Sequence, residues 1–146
     1  MTSSPTSPEQ SPSTRPDVAL LALRPAVATT PASGDATAGD FLHHTLRPVL
    51  KLQNEPLLAV VADFVRDHHV PLAASAPADQ LRLLTELLTR NVKLRYTVIG
   101  LISGLFTGAE LDFYRQHRPE LNRRLLELAV RRVQDQVAAV VELSVG

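Results

Sequence analysis

From Phe41 to the end of the chain, apolar side chains recur at helical spacing, and this pattern constrains the fold more than any other feature. Leu and Val return every three or four residues throughout the 106 residues that follow position 40. The pattern never settles into the two-residue period of a strand, and glycines are too few for a series of hairpins. Because a stretch of this length can close a core of its own, we predict an all-α fold, a compact bundle of four or five helices.

The first 40 residues differ in composition from this domain. They contain 12 Ser or Thr, 7 Ala, 6 Pro and 2 Gly, and no aromatic residue. Such a stretch buries too little apolar surface to offset the entropy of ordering, so we predict a disordered Ser/Thr/Pro/Ala-rich N-terminal tail over 1–40 and a helical domain over 41–146. One apolar island runs from Val18 to Leu23. It is either a docking motif or strap that folds onto the domain, or a chance cluster in a linker. We favour the chance cluster.

Caps and prolines predict where the first helices begin and end. Asp40 is expected to cap the first helix of the domain, with Pro48 bending it or starting a second short turn. Asn54, followed by a glutamate and a proline, is expected to cap a second helix that runs to about His69.

Three further signals divide the remainder of the chain. The apolar-periodic segment from Ala78 to Phe106 is long for one helix, and Asn91 is the residue best suited to interrupt it and cap a new helix. Thr107 and Glu110 form the pattern of a capping box, which predicts a helix start at position 107. Pro119 then begins a long last helix or bends the path of the chain into it.

Two glycines at spacing four point to helix packing. Gly100 and Gly104 each weaken a helix by about 1 kcal/mol, which asks for a compensating reason such as close approach of a neighbouring helix, within the chain or across a dimer. The apolar run around them is about half of what spans a bilayer, so we expect no integral membrane segment and disfavour peripheral membrane contact. Val133, Val137 and Val140 on the broad apolar stripe of the last helix are further candidates for helix packing or an interface.

Positive charge is concentrated in the second half of the chain. The block from Arg82 to Arg132 has ten basic and five acidic residues, and its excess of five is cancelled by the rest of the chain. A basic face could bind nucleic acid, a phosphorylated ligand or an acidic protein. However, Arg124 stands four residues after Glu120 and Arg131 four after Glu127, which favours internal pairing and a solvated face.

Arg95 is a separate candidate, because on a helix it shares a stripe with apolar residues that are expected to be buried. A buried arginine needs a carboxylate or a ligand anion, so Arg95 is the first choice for a ligand or partner contact. Asn91 is a second candidate if it is not a cap. The alternatives are that Arg95 snorkels to the surface or forms a structural ion pair with one of three carboxylates, Asp63, Asp67 or Glu110.

No pattern in the sequence points to catalysis or to a cofactor. The chain has no cysteine, and it lacks a nucleophile elbow, a phosphate loop and a dinucleotide-binding motif. The histidines do not occur in the spacing of a typical zinc motif, and we expect no metal site. The histidines are His43, His44, His68, His69 and His117.

These observations favour a helical protein–protein interaction or self-association module that is not an enzyme and has no cofactor. We expect it to be bacterial and cytoplasmic, with itself or another protein as partner. The alternative is a small-ligand-binding helical domain that uses Arg95 in the bundle core. The third hypothesis, which we disfavour, is weak nucleic-acid binding through the last helix, at Arg123, Arg124, Arg131 and Arg132.

Overall fold

The computed structural model describes residues 14–25 and 37–146, and within these ranges the regular structure is entirely helical. In chain order the elements are α1 (Asp17–Ala22), α2 (Ala38–Phe41), a π-helical turn (Leu42–Leu46), α3 (Arg47–Leu52), α4 (Asn54–Asp67), α5 (Pro77–Arg90), α6 (Val92–Ser103), α7 (Gly108–Gln116), α8 (Arg118–Gln134) and α9 (Val137–Val145). The all-α class is confirmed, whereas the predicted count of four or five helices is wrong. The described part of the chain contains more helices because several are short.

Two of the predicted long helices are divided. The helix that begins the domain widens into a π-helical turn directly before Arg47 and Pro48. Proline has no N–H to donate and its ring crowds the preceding turn, which explains why the regular ladder is interrupted there. The predicted last helix ends at Gln134 and continues as α9 from Val137.

The capping predictions have mixed outcomes. The Thr37 hydroxyl, and not Asp40, caps the first helix of the domain by accepting a hydrogen bond from the Asp40 N–H at 3.0 Å. Asn54 is already helical, because α4 continues almost directly from α3 and needs no side-chain cap. The same helix ends at Asp67, two residues earlier than predicted.

The caps at Asn91 and Thr107 are confirmed. The Asn91 side chain accepts from the Leu94 N–H at 2.9 Å and begins α6. At the start of α7, the Thr107 hydroxyl accepts from the Glu110 N–H at 3.3 Å, while the Glu110 carboxylate accepts from the Thr107 N–H at 2.8 Å. Each pair satisfies amides that a helix N-terminus leaves without intrahelical partners.

Helices α6 and α8 contribute large parts of one continuous core. Helix α6 contacts α4, α5 and α8, and α8 also contacts α5, the π-helical turn and α9. The short α9 lies against α4, where the Arg66 guanidinium donates to the Leu143 carbonyl at 2.9 Å and so satisfies the C-terminal turn of α9. The fully buried residues of α6 and α8 are Leu94, Val98, Ile102, Leu121, Leu125, Ala129 and Val133.

Residues 14–25, which we call the strap, lie against the corner between α6 and α7. Leu20 is buried there, and the Asp17 carboxylate accepts from the Gly108 N–H at 3.0 Å. Disorder was predicted for these residues, and this is a correction: the strap is ordered by polar contacts with helix ends, which the low apolar content of the tail did not reveal. The rest of the predicted tail, 1–13 and 26–36, lies outside the described residues.

Candidate binding grooves

At the α6–α7 corner, charged side chains of the strap and of α7 form ion pairs and hydrogen bonds with one another. Arg24 of the strap donates to both Glu110 oxygens, at 2.6 and 2.7 Å, and the side chains of this pair are only 7% and 17% exposed. Thr45 donates to the same carboxylate at 2.9 Å. Burial alone would raise the pKa of Glu110, but the hydrogen bonds from Arg24, the Thr107 amide and Thr45 hold it below its ordinary value. Glu110 is therefore a structural anion.

Arg15 completes this corner from the other end of the strap. Its guanidinium donates to the Gly104 carbonyl at 2.7 Å and to the Phe106 carbonyl at 3.0 Å. These carbonyls follow the last turn of α6, where backbone acceptors lack intrahelical donors and a cation is favourable. Both strap arginines thus stabilise helix termini.

A groove beside α8, which we call the Arg95 groove, has a different character. It encloses about 720 Å³ between the end of α5, the start of α6 and one side of α8. Leu88, Leu126, Val130 and Pro119 give it apolar walls. Arg95, half-buried, lines it together with residues that include Arg123, Glu127 and Arg131.

A second groove, the Arg47 groove, lies on the other side of α8. It encloses about 760 Å³ against the π-helical turn and α3, and Arg123, Glu127 and Arg131 line both grooves. Its lining includes five arginines and two carboxylates, and so has an excess of three positive charges. Those charged residues are Arg47, Arg123, Arg124, Arg131, Arg132, Glu127 and Asp135.

The ion pairs along α8 leave part of this charge unpaired. Arg123 donates to Glu127 at 2.6 Å and Arg124 to Glu120 at 3.3 Å. The predicted Arg124 pair is thus confirmed, whereas the predicted pairing of Arg131 with Glu127 is wrong because Arg123 occupies that carboxylate. Within the described part of the chain, Arg131 has no carboxylate at ion-pair distance.

Arg132 is held in place by neutral amides. It donates to the Asn54 side-chain oxygen at 3.2 Å, and the Asn54 and Gln136 side chains form two reciprocal hydrogen bonds at 2.7 and 2.9 Å. Burial lowers the pKa of the Arg132 guanidinium, the nearby Arg47 charge lowers it further, and Asp135 acts in the opposite direction. Arg47 and Arg132 therefore both line this groove, and among the residues described neither has a carboxylate bound directly to it.

The structure does not bring the two predicted contact residues Arg95 and Asn91 together. Arg95 lines an open groove, because near the start of α6 its side chain reaches the surface. The prediction that Arg95 is enclosed in the bundle core is therefore wrong. It has no hydrogen bond or ion pair to any described residue. Asn91 is a cap, lines a different and smaller depression, and its amide group contacts the His68 ring at 3.3 Å.

The predicted packing glycines lie on the surface. A Cβ added at Gly100 would meet nothing within 4 Å, so no neighbouring helix in the described residues requires a glycine there. At Gly104 the nearest atom is the Gly100 carbonyl of the same segment, at 3.0 Å. Close approach within the chain is therefore wrong for this pair, and packing across a dimer stays a prediction. Val133 and Val140 are fully buried and Val137 is half-buried, so all three pack inside this chain.

Two of the five histidines stack on aromatic rings. His68 and His117 each stack on the phenyl ring four residues earlier and contact the backbone carbonyl of the same residue at 3.0 Å. Among the described residues, no group of three or more His, Asp or Glu side chains is arranged to hold a metal ion.

Sequence reasoning missed Arg47 and the strap arginines. Arg47 lies outside the block from Arg82 onward in which positive charge was counted, although its spacing of four from His43 on a helix is visible in the sequence. The contacts of Arg24 with Glu110 join residues 86 positions apart, and no local pattern marks them.

No family model, no curated protein and no solved structure matches this chain. Among the described residues, no helix combines the length and the apolar character needed to cross a bilayer.

Proposed function

We propose that this chain is a helical protein-interaction module that binds an acidic, amphipathic segment of a partner protein in the Arg95 groove. The observation that carries the proposal is the combination of apolar walls with Arg95 and Arg131, which have no carboxylate partner among the described residues. The proposal includes no catalytic step and no cofactor. A bacterial origin and a cytoplasmic location belong to it as expectations.

The chemistry of the groove favours a segment with both apolar and acidic side chains. Leu88 and Leu126 are already buried, but Val130 and Pro119 leave apolar surface at the wall, and its burial stabilises a complex by about 25 cal/mol per Å². Partner carboxylates placed beside Arg95 and Arg131 would form ion pairs that no described residue supplies, which selects for charge and orientation. A helix with leucines on one face and glutamates beside them meets both requirements.

Binding of a designed peptide tests this proposal. The probe is an amphipathic helix of about 15 residues with leucines on one face flanked by glutamates, and its control has each glutamate replaced by glutamine. Calorimetric titration of the full chain should detect the acidic peptide, and Arg95→Gln should weaken it about tenfold. Arg115→Gln is the matched control, because Arg115 is exposed and lines neither groove. Equal binding of both peptides, or equal loss in both variants, contradicts the proposal.

Self-association is the second candidate, favoured by the exposed side of α6. Val92 and Tyr96 are 59% and 66% exposed, and the space above Gly100 is open. A second copy packed on this side would cover all three. Sedimentation velocity of the full chain at tens of micromolar decides: a dimer that Gly100→Leu abolishes supports this candidate, whereas a monomer removes it.

A further inference from the structure

The Arg47 groove has positive charge without a direct counterion among the described residues. Of its five arginines, Arg123 and Arg124 have carboxylate partners. Arg47, Arg131 and Arg132 have none at ion-pair distance within the residues that the structure describes. Asp135 also lines the groove, but its attraction only partly offsets the effect of burial and of Arg47 on Arg132.

Two of these guanidinium groups have side-chain partners that carry no negative charge. Arg132 donates to Asn54, whose amide is itself fixed by Gln136. The Arg47 guanidinium lies 3.4 Å from the Nδ1 atom of His43, one turn earlier on the helix. Such partners orient a guanidinium group without cancelling its charge, so both groups remain available to an anion and lose little conformational freedom on binding.

We propose that the Arg47 groove is a binding site for a small phosphate-bearing molecule, whose phosphate group lies between Arg47 and Arg132 and within reach of Arg131. A phosphate group has three free oxygens and nearly two negative charges at neutral pH, which matches several guanidinium groups at once. A single carboxylate has two oxygens and one charge, and would leave part of the excess uncompensated.

The remaining lining favours a discrete ligand over a nucleic-acid strand. Glu127 and Asp135 lie in the same groove and would repel a continuous phosphate backbone, whereas a single phosphate group can avoid them. The volume of about 760 Å³ is in the range of small-molecule sites. This site shares Arg123, Glu127 and Arg131 with the peptide site proposed above, whereas Arg47 and Arg132 do not line the Arg95 groove and Arg95 does not line this one.

Calorimetric titration of the full chain with inorganic pyrophosphate tests the site, with citrate as a polycarboxylate of comparable charge. We expect pyrophosphate to bind more tightly than citrate, and Arg47→Gln to weaken pyrophosphate about tenfold or more. Arg82→Gln is the matched control, since Arg82 is exposed and paired with Asp79 and Glu86 on α5. Thermal unfolding of each variant verifies that it is folded, and Arg132→Gln provides a second test if Arg47→Gln is not, because Arg132 lines this groove and not the Arg95 groove.

Three results would overturn the inference. The first is equal affinity for pyrophosphate and citrate. The second is an equal effect of Arg47→Gln and Arg82→Gln on pyrophosphate affinity. Either result would indicate a general attraction of anions. The third is tighter binding of a single-stranded oligonucleotide than of pyrophosphate. Arg95→Gln should leave pyrophosphate affinity unchanged, so the failure of this site and the failure of the peptide site are separate results.

Discussion

The α6–α7 corner and the two grooves on either side of α8, which we together call the α8 face, use arginine in opposite ways. At the corner, Arg15 donates to backbone carbonyls and Arg24 forms an ion pair with the carboxylate of Glu110. On the α8 face, Arg95 and Arg131 have no carboxylate within ion-pair distance among the described residues. The comparison shows that the number of arginines does not identify a binding surface. What distinguishes the two regions is whether the fold itself supplies the partner.

The largest expected effect is at the corner. Arg24→Ala would leave Glu110 as a largely buried anion without its cation, and we expect a loss of about 3 kcal/mol in the free energy of unfolding. The matched change on α8 is Arg123→Ala, whose pair with Glu127 is more than half exposed and should contribute about 0.5 kcal/mol or less. Urea denaturation measures both. Equal losses would remove the distinction between the two regions.

Acid should weaken the corner selectively. The folded pKa of Glu110 lies below its ordinary value of 4.5, so its ionisation stabilises the fold above that pH and this contribution is lost as pH falls through the folded pKa. The difference in urea midpoint between the wild type and Glu110→Gln should therefore be largest near neutral pH and shrink in acid. A difference that grows as pH falls would contradict the depressed pKa.

Gly100 extends the comparison to the exposed side of α6. Gly100→Ala should raise the free energy of unfolding by about 0.5–1 kcal/mol, because alanine favours the helix and its Cβ meets nothing within 4 Å. Thermal unfolding detects a change of this size. A loss of stability that depends on protein concentration would instead reveal a dimer that packs through this glycine.

The smallest effect on stability is expected at Arg131. Arg131→Gln removes an exposed charge that has no partner in the described residues, and it relieves repulsion within the Arg47 groove. The urea midpoint should stay the same or rise slightly, within about 0.5 kcal/mol. A clear loss would mean that Arg131 has a structural role, as Arg24 does.

The sequence revealed some local features of this fold and none of the contacts that join distant segments. Asn91 and Thr107 were predicted as caps because each contacts an amide three residues away, which the residue order alone specifies. The strap was only the disfavoured interpretation of the apolar island, because its contacts depend on the finished corner, whose carbonyls and carboxylate are 81–91 residues away.

The predicted pairing of Arg131 and the predicted burial of Arg95 were wrong for a related reason. Glu127 has Arg123 four residues before it and Arg131 four after it, so spacing alone cannot decide which arginine it binds. In the structure Glu127 pairs with Arg123, and Arg131 lines both grooves. Likewise, the apolar stripe identified Arg95 as a residue near the core, but the groove beside it depends on how α5, α6 and α8 meet.

The most direct test of the account is to locate the binding surface by amide chemical shifts. In a titration of the isotope-labelled full chain with the acidic amphipathic peptide, shifts should concentrate at the end of α5, the start of α6 and along α8, and the strap and Glu110 should be unaffected. Shifts centred on Arg15, Arg24 and Glu110, or no shifts in the presence of a saturating peptide concentration, would contradict the claim that the α8 face is the binding surface and the corner is structural.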